Sequence, residues 1–231
     1  MGLATWIFAS QCAACGAATP LPLCLGCATS LAEVGPACPR CAEPTGAHAV
    51  VCARCTRSPL PLDRIAAPWR FGGELASAIR RLKFTGASHV ARAVAPLWAP
   101  VIAAALDEAG PGAIVVPVPL HWRRRFVRGY DHAWLLAVHA CALAGLPPPL
   151  PVLRRVRASP PQSTLAAAAR RANLRGAFAV RRRAAAALAG RPVVLVDDVV
   201  TTGATLAAAA RPLLDAGASR VLGVALARSA D

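Results

Sequence analysis

Val193-Val194-Leu195-Val196-Asp197-Asp198-Val199-Val200-Thr201-Thr202-Gly203-Ala204-Thr205 is the stretch that decides the fold. Its first four residues are branched and apolar without a polar break, the pattern of a strand buried on both faces. Two adjacent carboxylates follow at the carboxyl end of that strand, where open α/β sheets bind ligands. Behind them, small and hydroxylated residues open onto a helix predicted from about Ala204 to Ala216 and ended by Gly217. Such a loop lets backbone N–H groups and hydroxyls approach a phosphate, and the helix N-terminus adds a favourable dipole. The pattern is that of a ribose 5-phosphate site, with Asp197 and Asp198 on the sugar hydroxyls and Thr201, Thr202, Gly203, Ala204 and Thr205 around the phosphate. A plain helix cap would need one Asp, and the other adjacent acid pair, Asp107-Glu108, ends a helix with no comparable loop.

Working outward, the flanking segments repeat the alternation of strand and helix. Val221 to Leu226 reads as a strand, and so does the β-branched run Ala113 to Val118. Asp131 to Leu143 reads as a helix whose end is enforced by Pro147-Pro148-Pro149. Leu75, Ile79 and Leu82 recur at helical spacing, and Val90 to Leu106 is a second apolar helix, interrupted or started by Pro96. This order predicts an α/β fold with a mainly parallel sheet over residues 63–231. Ser58-Pro59-Leu60-Pro61-Leu62 reads as a stiff linker, and residues 1–62 before it have a different texture.

Eight of the nine cysteines fall there, in four Cys-x-x-Cys knuckles: Cys12/Cys15, Cys24/Cys27, Cys38/Cys41 and Cys52/Cys55. Secreted disulfide frameworks rarely repeat one short spacing four times, whereas a Cys-x-x-Cys turn presents two sulfurs to a single Zn²⁺. Structural zinc is therefore expected, as one or two ions. The simplest pairing is sequential, Cys12, Cys15, Cys24 and Cys27 on one ion and Cys38, Cys41, Cys52 and Cys55 on another; interleaved pairing and a single filled site satisfy the spacing too. Four thiolates leave no open position on zinc, so such sites are structural and not catalytic. Cys141, in an apolar run, reads as a buried small hydrophobe.

The 231 residues carry 26 Lys+Arg against 11 Asp+Glu, a formal charge of +15, yet are 56% hydrophobic with mean hydropathy +0.47. That combination excludes a chain held unfolded by charge, and the length excludes a large multidomain machine. The charge implies a polyanionic ligand. It is concentrated in residues 121–183, which hold thirteen arginines against the single acid Asp131. Within that region Arg124, Arg125, Arg128, Arg154, Arg155, Arg157, Arg170 and Arg171 are the candidate nucleic-acid contacts. Trp122 beside them is a candidate stacking platform, with Phe126 and Tyr130 interleaved; their spacing of four equally suits a helix packed into the core, where Trp134 is assigned. Cations beside aromatic faces bind single strands without sequence preference. The stretch from Arg154 to Arg175 reads either as a flap over the phosphate site or as a nucleic-acid loop. With each tetrathiolate zinc at −2, residues 1–62 become net negative, so the ribbon reads as a scaffold or docking element. The run Ala93 to Leu106 is too short and proline-broken for a membrane span, and Met1 to Ser10 lacks the basic start of a signal peptide, so a cytoplasmic location is expected.

The stretch around Asp197-Asp198 resembles the 5-phosphoribosyl-1-pyrophosphate (PRPP) motif of type I phosphoribosyltransferases. The whole chain resembles the ComF competence family. The residues that carry this are the four knuckles, Glu74-Leu75 through Leu82-Lys83-Phe84-Thr85-Gly86, Val116 to Leu120, Arg128-Gly129-Tyr130, Gln162, and Arg171-Ala172-Asn173 leading to Gly176-Ala177-Phe178. The resemblance implies a double zinc ribbon on a phosphoribosyltransferase-like domain, PRPP with Mg²⁺ as ligand, and single-stranded DNA handled during natural transformation. It also implies a DNA-uptake or helicase partner on the ribbon. By the same resemblance the loop from Leu120 to Arg125 is the pyrophosphate loop, with Leu120, His121 and Arg123 on the ligand. Lys83, the chain's one lysine, either reaches the diphosphate as a compact point charge or sits on a solvated helix end. Two departures stand out. Gly129-Tyr130-Asp131-His132 replaces the family's frequent Gly-Phe-Asn-Gln, and Thr201 stands where some purine-salvage relatives place a general base, a role no hydroxyl of ordinary pKa can fill. Three readings follow: a protein that binds PRPP and single-stranded DNA, an active transferase using an amine or a base as acceptor, and a zinc-ribbon adaptor with a non-catalytic phosphate pocket.

Overall fold

The computed structural model describes residues 11–84, 89–157 and 174–229. Its centre is a parallel sheet of strands β1 (Ile65–Ala66), β2 (Trp69–Arg70), β3 (Ile114–Pro117), β6 (Pro192–Val200) and β7 (Arg220–Arg228). The order is β1-β7-β6-β3, and β2 also pairs with β7. Antiparallel β4 (Leu153–Arg155) and β5 (Phe178–Val180) form a separate ribbon. Val193 to Val196 have no exposure at all, as an unbroken branched run demands.

Both long strands outrun their sequence patterns. β6 continues through the acid pair to Val200, matching Asp197 to Ala225 and Val199 to Ala227. A ladder is made by the backbone, so polar side chains that interrupt the apolar pattern do not end it.

Helices cover both faces of the sheet. On one lie α3 (Gly73–Phe84), α4 (His89–Ala109) and α6 (His132–Leu143). Their core includes Leu75, Ile79, Leu82, Trp98, Ile102, Leu136 and Cys141. Each fully buried Leu or Ile contributes about 1.5–3 kcal/mol. On the other lies α7 (Ala204–Asp215), with Leu206 and Leu213 packed on Leu174, Leu188 and Leu195. Helix α4 is longer than the sequence reading and passes through both Pro96 and Pro100. Both prolines are exposed, one turn apart, so the lost hydrogen bonds fall on the solvent side, where helices already bend. At 21 residues α4 is long and apolar enough to cross a membrane, yet Trp98 and Ile102 bury its inner face in the core.

The knuckles are built into this body. Short helices α1 (Leu25–Thr29) and α2 (Ala53–Arg57) start directly after Cys24 and Cys52. Cys12, Ala13, Ala14, Leu23 and Cys27 share the core of α3 and α4. Leu62, in the expected linker, packs into the second core, and Asp63 N–H donates to the Val221 carbonyl.

Candidate functional site

The carboxyl end of β6 opens into two adjoining hollows. The smaller, about 240 Å³, is walled by Asp197, Thr201, Gly203, Ala204 and Thr205, with Phe71 and Ser229 opposite. Gly203 sits at φ 78°, and a Cβ there would lie 2.9 Å from Ile65 Cδ1, so the turn into α7 requires glycine twice over. Thr202 stands apart from its neighbours: it is buried, and its hydroxyl accepts from Ala204 N–H at 3.3 Å, tying down the loop from behind.

The larger hollow, about 880 Å³, joins the first through Phe71, Asp197, Val199 and Thr205. Around it stand Lys83, Leu120, Arg123, Arg124, Arg128, Arg155 and Asp198. Arginines assigned from sequence to nucleic acid thus face the same space as residues assigned to the phosphoribosyl ligand. Arg125 and Arg154 are exposed and Arg157 donates to the Arg175 carbonyl, away from that wall. Arg170 and Arg171, with most of the predicted flap, lie outside the described residues, as do Thr85, Gly86, Gln162 and Asn173.

Lys83 ends α3 and places Nζ 2.5 Å from Asp198 Oδ2, on which His132 Nε2 also converges at 3.2 Å. The lysine therefore does not sit on a solvated helix end but is paired with the buried Asp198. Burial alone would raise the Asp198 carboxyl, but Lys83 and His132 outweigh it and hold Asp198 well below the usual carboxylate range. Asp197 has the opposite fate: burial and the neighbouring Asp198 charge push it up to about 7. Near neutral pH the pair thus carries its single titrating proton on Asp197, about half occupied, while Asp198 stays ionised.

The segment expected to be a pyrophosphate loop is mostly helix, α5 (Trp122–Arg128). His121 is its N-cap, buried, with Nδ1 accepting from Arg123 N–H at 3.3 Å. Burial and then Arg155, Arg123 and Arg124 depress the His121 pKa, which keeps Nδ1 free to accept. Gly129 closes the helix in the left-handed conformation, φ 79°. Asp131 caps α6 at Trp134 N–H and takes the Leu120 N–H at 2.8 Å through its other oxygen. Both functions need an acceptor, which explains an acid at this position without any metal or ligand. Tyr130 donates to the Leu82 carbonyl, locking α3 beside this corner. Helix α5 buries no side chain: Trp122, Phe126 and Val127 are 64%, 88% and 84% exposed, and Phe84 nearby is 71% exposed. Arg123 overlies Trp122 and Arg128 overlies Phe84, at 5.3 and 4.9 Å to the ring centroids. Trp134 is half-buried; Trp98 is the tryptophan of the core.

Phe71, Ser229, Val127 and Arg80 face these hollows without having been singled out for them, and Phe84, expected beside Lys83, lines the larger one. Phe71 follows the two-residue β2 and Ser229 the end of β7, and neither position carries a motif. Val127 sits beside residues that were singled out, and its exposure as a large apolar group is the signal visible only in three dimensions.

The cysteines gather as two sequential sets, Cys12, Cys15, Cys24, Cys27 and Cys38, Cys41, Cys52, Cys55, each with its sulfurs within 4.8 Å of one another. Cys15 and Cys24 sulfurs are 3.9 Å apart, Cys41 and Cys52 sulfurs 3.7 Å. The edge of a tetrahedron with Zn–S near 2.3 Å is about 3.8 Å. Backbone N–H groups of Cys24 and Cys52 point at Cys12 and Cys38 sulfurs, both at 3.4 Å. These and neighbouring amide contacts overcome burial and lower the two thiols to about 6 and about 7. The donor sets fit structural zinc, which supplies the cross-link that a small loop-rich ribbon lacks. Beside the second set, the nearly inaccessible Arg228 of β7 donates to the Cys41 carbonyl at 3.2 Å and pairs with Glu43.

Fold and site together define a phosphoribosyltransferase domain carried behind a double zinc ribbon, and comparison agrees. The phosphoribosyl transferase domain family matches residues 137–230 and the double zinc ribbon domain family residues 3–56. DNA utilization protein YhgH of Salmonella typhi is 34% identical over 159 residues, covering 68% of this chain and 70% of the relative. Its Escherichia coli K12 counterpart is 32% identical over the same length and coverage. Competence protein F of Haemophilus influenzae is 29% identical over 165 residues, covering 68% and 69%. The chain belongs to the ComF family of competence and DNA-utilisation proteins.

Proposed function

We propose that the protein binds PRPP with Mg²⁺ in the paired hollows and single-stranded DNA along α5, in the service of DNA uptake and utilisation. One observation carries the reading: the acid pair and phosphate loop open onto a cleft walled by Arg123, Arg124, Arg128 and Arg155, whose outer edge is the exposed aromatic and cationic helix α5. The 5-phosphate belongs against Thr201, Gly203, Ala204 and Thr205, the ribose hydroxyls against Asp197 and Asp198, and the diphosphate toward the arginines. There Lys83 exchanges Asp198 for the ligand. Mg²⁺ would neutralise diphosphate charge beside the carboxylates. DNA phosphates run along the arginines, and Trp122 and Phe126 offer faces for stacking. Calorimetric titration of the zinc-loaded protein with PRPP·Mg²⁺ and with an oligonucleotide tests both halves. Binding of each is expected, with oligonucleotide affinity falling steeply as salt rises, as it does when several phosphates are neutralised. No heat with PRPP·Mg²⁺ refutes the first half, and a flat salt response the second.

Transfer of the phosphoribosyl group is a second reading, favoured by Asp197. A carboxyl held near 7 is matched to accepting a proton at physiological pH, a service Thr201 cannot render. Pyrophosphate release from PRPP in the presence of amine or nucleobase acceptors, abolished in Asp197→Asn, is its test.

A further inference from the structure

The two cysteine sets have the same ligands and different surroundings. In the second, Cys38, Cys41 and Cys55 are buried, and Arg54 lies 3.5 Å from the Cys41 sulfur. Arg54 and Arg228 share the single carboxylate of Glu43, so the set stands in net positive surroundings that offset the −2 of a tetrathiolate zinc. In the first, Cys15 is exposed and Cys24 half-exposed, with sulfurs 3.9 Å apart on neighbouring knuckles. The carboxylate of Glu74, from α3, lies 3.6 Å from the Cys27 sulfur. Arg81 at the Cys12 carbonyl balances Glu74, so the first set's surroundings are near neutral where the second set's are net positive. The −2 of the metal centre is less offset in the first set, leaving more electron density on its thiolates.

The geometry points to the first set as a redox-labile site, at which Cys15 and Cys24 are oxidised by hydrogen peroxide and zinc is released, while the second set keeps its metal. The exposed Cys15 thiolate attacks peroxide, the O–O bond breaks, and a sulfenic acid and hydroxide form. The Cys24 thiolate then attacks the Cys15 sulfur and expels a second hydroxide, leaving a Cys15–Cys24 disulfide. The two electrons lost by sulfur are those gained by peroxide oxygen. The sulfurs close from 3.9 Å to about 2 Å, and the metal loses two of four ligands. The consequence reaches the cleft through α3. This helix meets the first set at Glu74 and again at Arg81, whose Nη1 donates to the Cys12 carbonyl at 2.8 Å, and its far end carries Lys83 to Asp198. The inference goes beyond ligand binding and holds whether or not PRPP is the ligand.

The test exposes the zinc-loaded full chain to hydrogen peroxide, reading released metal with a chromogenic chelator and thiol pairing by peptide mapping. One of two zinc equivalents should leave, with a Cys15–Cys24 bond formed. Glu74→Gln should slow that release by about threefold or more through loss of the adjacent charge. Arg54→Met should bring the second equivalent's release toward the rate of the first, and it lies outside α3, so it keeps the test decisive if Glu74→Gln fails to fold. Simultaneous loss of both equivalents, a disulfide in the second set alone, or a Glu74→Gln rate equal to that of the parent protein would overturn the inference.

Discussion

Asp197 and Asp198 are chemically identical neighbours with opposite titration. Asp198 is depressed, so its pairing stabilises the fold above the ordinary carboxylate pKa and is lost as pH falls below it. Asp197 is raised to about 7, so the folded state keeps a proton that the unfolded chain releases near 4. Its contribution therefore turns against the fold as pH climbs from about 4 to about 7. Asp197→Asn should accordingly gain melting temperature relative to the parent protein as pH rises from 5 to 8; a constant difference across that range would contradict the assignment. Lys83→Met strips the ammonium from a carboxylate that is almost inaccessible and should cost about 1–3 kcal/mol in denaturant unfolding, the usual penalty for a buried polar group left short of a partner. The acid pair itself was legible from sequence because adjacent carboxylates before a small-residue loop have few other uses. That Lys83 pairs with Asp198 was not, since the two are 115 positions apart and no local pattern encodes the contact. Asp131 likewise looked like a ligand-side departure, whereas it caps α6 and holds the Leu120 amide.

At the scale of elements, α5 is the segment whose sequence and structure diverge most. Its first half is a loop by family resemblance, whereas Trp122, Phe126 and Tyr130 recur every four residues as in a helix packed into the core; the helix forms but buries nothing, and caps at His121 and Gly129 define it. A helix without a buried face contributes little to stability, so Trp122→Ala/Phe126→Ala should leave the melting temperature nearly unchanged, within about 0.5 kcal/mol. The same double substitution should weaken oligonucleotide binding by about 1–3 kcal/mol for each lost stacking contact. Equal affinity in the variant would place the strand elsewhere. Helix α4 shows the reverse limit. Its two prolines argued for a break, but both face solvent in one line while Trp98 and Ile102 hold the opposite face, and packing overrode propensity.

At the scale of the whole molecule, the parallel sheet and the zinc ribbon were both readable, the first from branched runs alternating with helices, the second from repeated spacing. Their fusion was not, because Pro59 and Pro61 advertise a linker while Leu62 enters the core and Cys12 and Cys27 pack beside Leu82. Removing zinc with a strong chelator should therefore lower the cooperative unfolding transition of the entire protein instead of melting an independent amino-terminal unit, a distinction calorimetry makes directly. The placement of β7 adds a constraint on biosynthesis. This strand lies between β6 and the short strands β1 and β2, and its Arg228 reaches back to the Cys41 carbonyl. Strands β1 and β2 lack their ladder partner, and the Cys41 carbonyl its Arg228 donor, until residues 220–228 have left the ribosome. A nascent chain arrested before Val221 should thus remain protease-sensitive at β1 and β2, and during that interval the uncovered edge of β6 is what a chaperone would meet.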